Sequence, residues 1–210
     1  MDQLETLKKE WQAREHEFPK FTSQDIYPML LKKSSSIVKW IVVISICELV
    51  FWSVLAFFIP ESSKEFNDEM GLKTAFTVIN VINYGVVIAF IYLFYRNYKK
   101  IQVTNSVKKL MGNILKTRKT VRYFVFYNIG MAALLMMGVN LFYYMNQEKL
   151  NTLLRNDNSF GALPAETFIG INVIAGVLLI GFLVFFYWLL YGLLLRRLKR
   201  NYKELKKIEV

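Results

Sequence analysis

A chain of 210 residues that is 54% hydrophobic and 16% aromatic, with a net charge of +11, gathers its apolar residues into four blocks nearly empty of charge. A nucleic-acid binder of that charge would spread Lys and Arg over a folded surface, and a soluble core helix would show a polar face every turn; the segregation excludes both and points to lipid. The single cysteine, Cys47, falls within an apolar block, so an intramolecular disulfide is excluded as well.

The opening stretch, MDQLETLKKEWQAREHEF, has neither the short apolar run nor the small-residue cleavage site of a signal peptide, so the first apolar block is expected to act as an uncleaved anchor. Residues 1–36 read as a cytoplasmic amphipathic segment. Leu4, Leu7 and Trp11 fall at i, i+3 and i+7 on a short helix that Pro19 breaks. Ser23 is placed to cap a second helix starting near Gln24, with Pro28 awkward at its first-turn boundary. Ile26, Met29 and Leu30 are then positioned to rest on the membrane ahead of the run KKSSSIVKW. Such a segment serves either as an interfacial elbow or as a docking element for a cytoplasmic protein partner.

A helix rising about 1.5 Å per residue needs about 20 apolar residues to cross roughly 30 Å of hydrocarbon. Residues 40–59 supply 20 with one charge, Glu48; residues 75–95 supply 21, residues 123–145 supply 23 and residues 168–195 supply 28, none of them charged. The expected fold is an all-α integral membrane bundle of four transmembrane helices joined up-and-down over residues 37–195, followed by a basic tail at 196–210. Of the 27 Lys and Arg, 23 lie on the side of the termini and the loop 96–122, and four lie opposite. Both termini and that loop are therefore expected in the cytoplasm, with the chain in a bacterial inner membrane. Trp40, Tyr92, Tyr95, Tyr98, Tyr123 and Tyr127 read as cytoplasmic interface markers, and Tyr143 and Tyr144 as outer ones. Trp188 and Tyr191 place the inner interface before the last apolar run ends, so the fourth helix should tilt or project inward.

The loop RNYKKIQVTNSVKKLMGNILKTRKTVR carries nine Lys or Arg and no acid. Val103, Val107, Leu110 and Ile114 recur at helical spacing, which predicts a basic amphipathic helix on an anionic inner leaflet. Lys99, Lys100, Lys108, Lys109, Lys116, Arg118 and Lys119 are the expected lipid contacts, each adding about 1 kcal/mol near such a surface. Nucleic acid is not an expected partner, since no recognition module accompanies the charge. The outward loops, 60–74 and 146–167, are short and mildly acidic.

Glu48 is the one ionisable acidic or basic side chain well inside a span, about 12 Å past Trp40 on helical geometry. A carboxyl there costs several kcal/mol unless protonated, paired or hydrated. No Lys or Arg reaches that depth, which leaves Asn83, Asn128, Ser45 or a tyrosine hydroxyl as its partner. A proton- or ion-responsive site and a structural hydrogen bond are both open readings, with the structural bond preferred. Asn80, Asn140 and Asn172 add polar glue to Asn83 and Asn128, while Gly85 with Ala89 and Gly130 with Gly138 suggest close helix contacts, within the bundle or in a homo-oligomer. With His16 as the sole histidine and no phosphate-cradling or nucleophile motif, neither catalytic residues nor a metal or other cofactor are expected.

The segments LKKEW, the following FP, and DIYPMLLKKSSSIVKWI, taken with four spans, resemble an uncharacterised family of small bacterial inner-membrane proteins, residues 25–41 being the specific part. Some members are labelled β-carotene 15,15′-monooxygenase. Carotenoid cleavage oxygenases hold iron with four histidines, and His16 alone cannot supply them, so that activity is not expected. The resemblance implies a four-span fold and no particular functional residues. Three functions remain. The first is a non-enzymatic regulatory or interaction protein, for example a tethered control protein of a sigma factor. The second is a small transporter or channel subunit using Glu48 and the asparagines. The third is a membrane enzyme acting on lipid or isoprenoid.

Overall fold

A computed structural model describes Glu5, Lys9 and residues 23–156 and 163–209, with the side chains of Glu5, Lys9, 26–155 and 163–207. The expected helix on Leu4, Leu7 and Trp11 lies outside the described residues. Among the described residues there is no strand and there are six helices: α1 (Ser23–Phe57), α2 (Glu61–Met70), α3 (Lys73–Gln102), α4 (Val107–Met145), α5 (Gln147–Asn156) and α6 (Ala165–Glu209). Four of them, α1, α3, α4 and α6, are long and apolar enough to cross a membrane. The protein is thus all-α, with four helices of membrane-spanning character.

These four helices form a ring in which α1 touches α3 and α6, and α4 touches α3 and α6. Register shows the direction of each neighbour. On α1 and α6, Ser34 meets Asn201 and Glu48 meets Tyr187; on α3 and α4, Asn97 meets Thr120 and Phe94 meets Phe124. As one index falls the other rises, so neighbours are antiparallel and the bundle is up-and-down.

One end of the bundle holds the start of α1, the end of α6 and the α3–α4 turn. Here the helices continue past their apolar windows and carry the bundle core with them: Leu30, Ile101, Leu110, Ile114, Leu198 and Leu205 are almost solvent-free and belong to the same cluster as Phe94, Phe124 and Tyr187. Ser34 and Asn201, both fully buried, share a 3.1 Å hydrogen bond, and the Tyr27 hydroxyl donates to the Thr104 carbonyl at 2.6 Å. Two sequence expectations change accordingly. The helix from about Gln24 is not a separate elbow but the first turns of α1, which runs unbroken through Pro28. Proline there removes one backbone bond near the helix start, a small loss for a helix of 35 residues. The apolar stripe of the basic loop does not face outward: Leu110 and Ile114 are buried against the protein, Val107 is half-buried, and Val103 alone is 76% exposed. A protein core and a leaflet select the same amphipathic pattern, and the partner surface supplied by Leu198 and Leu205 decides between them.

The other end carries a small cap. Helices α2 and α5 bury Phe66, Met70, Leu150 and Leu154 against Tyr143 and Phe168. The Tyr143 hydroxyl donates to Asn67 Oδ1 at 3.1 Å, and the Asn151 side-chain oxygen accepts the Ala165 N–H at 2.8 Å. Gly71 ends α2 in the left-handed region at φ 92°, with Leu72 N–H bonded to the Asn67 carbonyl at 2.9 Å, a turn that a Cβ would strain.

Candidate functional site

Helix α1 needs one polar position in its middle to explain, and α6 supplies the answer. Glu48 is buried and both carboxyl oxygens are engaged: the Tyr187 hydroxyl donates to Oε1, and the Tyr191 hydroxyl donates to Oε2 at 3.1 Å. Tyr187 and Tyr191 are one turn apart, so their rings lie over the same stretch of α1. The Trp52 indole, one turn beyond Glu48 on α1, lies beside the same carboxyl. Phe124 of α4 closes the layer, with its ring edge-on to Tyr187 at 6.4 Å and to Tyr191 at 5.8 Å. Chemically this is an acceptor pair in which each oxygen is engaged by a phenol donor, walled by aromatic rings.

The sequence had offered tyrosine as one of several partners, and Asn83 and Asn128 as others. Neither asparagine bonds Glu48. Asn83 Oδ1 accepts the Tyr127 hydroxyl at 3.1 Å, and Asn128 Nδ2 donates to the Phe124 carbonyl at 2.8 Å. Asn140 and Asn172 likewise return their amides to carbonyls four residues back, at 2.9 and 3.0 Å. These three asparagines therefore satisfy their own helices and do not tie helices together. Ser45 also turns back, to the Val42 carbonyl at 2.8 Å. Tyr191, read as an interface residue, is buried on Glu48, and Tyr143 is buried in the cap.

Between the Glu48 layer and the cap lies a cavity of about 550 Å³, where Asn83, Asn128, Asn140 and Asn172 share the wall with Trp52 and Tyr187. The remaining lining is Met, Leu, Ala, Val and Gly176. Asn140 Oδ1 is buried without a hydrogen-bond partner among the described residues, so the wall presents at least one unused acceptor. Gly176 is the described glycine packed most closely, because a Cβ there would press on the Met136 thioether. The glycines singled out from spacing behave differently: a Cβ at Gly85, Gly130 or Gly138 meets nothing within 4 Å. Among the described residues no group of three His, Cys, Asp or Glu is close enough to hold a metal.

The cations of the loop fall on the surface of the basic end. Lys99, Lys108, Lys109, Lys116 and Lys119 are exposed, while Lys100 and Arg118 are half-buried. Lys99 lies 5.0 Å from the Tyr95 ring and Lys119 lies 5.6 Å from the Tyr123 ring. Lys100, Lys109 and Lys116 gather around a hollow of about 560 Å³ at the α3–α4 turn.

Residues 24–210 match a family model described as a domain of unknown function (DUF8845), which covers most of the chain, and the chain belongs to that family. No curated protein and no solved structure matches it.

Proposed function

We propose that this member of the DUF8845 family is a multi-pass protein of the bacterial inner membrane, with both termini in the cytoplasm, and that it works as a non-enzymatic regulatory or interaction protein. The observation that carries this reading is the continuation of the bundle core past the apolar windows at the basic end. Membrane helices do not need a packed extension of Leu30, Leu110, Ile114, Leu198 and Leu205 in order to span. Such an extension makes a rigid, cation-covered platform beyond the bilayer, suited to hold a partner at the membrane surface. The original docking candidate, residues 1–36, narrows on this reading: Leu30 and Ser34 are consumed by internal packing, leaving residues 1–22 and the outer face of the platform. The Glu48 layer fits a structural role, since its oxygens already have donors. Site-specific photocrosslinking in cells tests the idea. A crosslinker at Leu115 or Lys203 should give one discrete protein adduct that disappears when residues 1–22 are deleted, while one at Leu178 in the apolar region should give none. Lipid adducts alone at all three positions would end the partner reading.

A transporter or channel role has one specific observation in its favour, the asparagine-lined cavity above Glu48. Flux of a small neutral hydrogen-bond donor into proteoliposomes, abolished by Asn172→Leu, would favour it over the partner reading.

A further inference from the structure

Along α1 and α6 at the basic end runs a groove of about 760 Å³. Lys32 and Lys33 of α1 and Arg197 and Arg200 of α6 line it, with no acidic residue among the lining side chains. All four cations are exposed. Arg200 pairs with Glu204, whose carboxylate stands 3.9 Å from Nε in a loose surface pair that leaves the rest of the guanidinium fork available. Ser36 adds a hydroxyl and Met29 an apolar side chain one turn before the lysines, while Ile37, Trp40 and Leu194 form the wall on the side toward the apolar windows. The groove is therefore cationic, apart from Met29, at the end away from the windows and greasy at the other. Its level is marked by Trp40 on the wall.

Four cations held on two packed helices repel one another, and the repulsion acts to separate α1 from α6. The buried Ser34–Asn201 hydrogen bond holds the pair together directly beside the groove. A ligand bringing negative charge to the cationic end and hydrocarbon to the wall would relieve both demands at once. We infer that this groove binds an anionic phospholipid of the inner leaflet, and that four cations around one cavity favour a headgroup with two phosphates, the diphosphatidylglycerol class, over a single phosphate. A soluble phosphate would use the cations and leave Ile37, Trp40 and Leu194 idle; an acidic peptide would gain nothing from a wall at bilayer depth. The inference rests on the cytoplasmic placement of the basic end and is independent of whether a protein partner exists.

The test uses full-length protein in neutral detergent, titrated with diphosphatidylglycerol, phosphatidylglycerol, phosphatidylcholine or inorganic pyrophosphate, with bound lipid counted by native mass spectrometry and thermal stability followed in parallel. Diphosphatidylglycerol should be retained and raise the unfolding temperature, phosphatidylglycerol should bind less tightly, and phosphatidylcholine should do neither. Arg197→Gln with Arg200→Gln should weaken diphosphatidylglycerol binding about thirtyfold, the weight of two cations facing an anionic lipid. Lys206→Gln with Lys207→Gln removes the same charge from the end of α6, beyond the groove, and should change little. Should the Arg197–Arg200 pair fail to fold, Lys32→Gln with Lys33→Gln tests the same cavity from α1. Equal losses for groove and tail variants would overturn the site in favour of diffuse charge. Pyrophosphate binding as tightly as the lipid would overturn the lipid assignment, and phosphatidylcholine retained as well as diphosphatidylglycerol would overturn the charge assignment.

Discussion

Glu48 is tolerable among acyl chains because each of its oxygens has a donor, and the donors differ from the acceptor in how much depends on them. Tyr187→Phe deletes one hydrogen bond, worth about 0.6–1.7 kcal/mol within a membrane bundle. Glu48→Ala deletes the shared acceptor and leaves two buried phenols unsatisfied, at about 1–3 kcal/mol each. Glu48→Gln keeps an acceptor oxygen of the same reach. Unfolding in mixed micelles should therefore rank Gln near the parent, Tyr187→Phe below it and Ala lowest; a Gln variant as weak as Ala would mean that the acid itself, not an acceptor, is required. The special status of Glu48 was legible in the sequence as the one charge inside a span. Its partners were not, because they lie 139 and 143 residues away, and Tyr191 looks like an interface tyrosine until the tilt and rotation of α6 are known. The asparagines misled for a related reason. Composition shows a polar amide in a span, but not that the nearest unsaturated carbonyl belongs to its own helix four residues back.

At the scale of elements, the four long helices and their antiparallel order follow from apolar length and short connections, and these were readable directly. What covers the basic loop was not. The spacing of Val107, Leu110 and Ile114 states that a face must be buried, and lipid and protein satisfy it equally. The deciding signal sat in the tail, where Leu198, Asn201 and Leu205 repeat at i, i+3 and i+7 beneath a run of cations. That stripe completes a core with the loop, and all three residues are fully buried. The small residues show the same limit: Gly85 and Ala89 are exposed, whereas Gly176, unremarked by spacing, is the one that meets Met136. Truncation separates the two burial modes. Leu110→Ala should cost about 2–5 kcal/mol in a packed core, and Val103→Ala on the exposed side should stay within about 0.5 kcal/mol. Chemical unfolding of the two variants in the same detergent measures the gap, and equal small losses would return the stripe to the leaflet.

For the whole molecule, the two ends differ in chemistry as sharply as in architecture. One end presents a packed, cation-rich platform of four helices, and the other a compact cap whose described cations are Lys64, Lys73, Lys149 and Arg155. The cost of moving basic segments across a bilayer during insertion falls almost entirely on the first end, and the proposed orientation therefore keeps the platform inside and sends the cap across. Labelling of single cysteines decides this without reference to function. The background is Cys47→Ala, since that thiol is exposed on a spanning helix and would otherwise compete in permeabilised samples. In spheroplasts an impermeant maleimide should modify Lys64→Cys on the cap, and should reach Lys108→Cys and Lys203→Cys only after the membrane is opened. All three positions are exposed, so a missing signal reports the bilayer and not burial in the fold. The reverse pattern would turn the molecule over, place the α1–α6 groove against the outer leaflet and remove the cytoplasm as the source of any partner. Labelling of Lys108→Cys and Lys203→Cys on opposite sides would be incompatible with antiparallel spans, because the α3–α4 turn and the end of α6 share one core through Leu110 and Leu205.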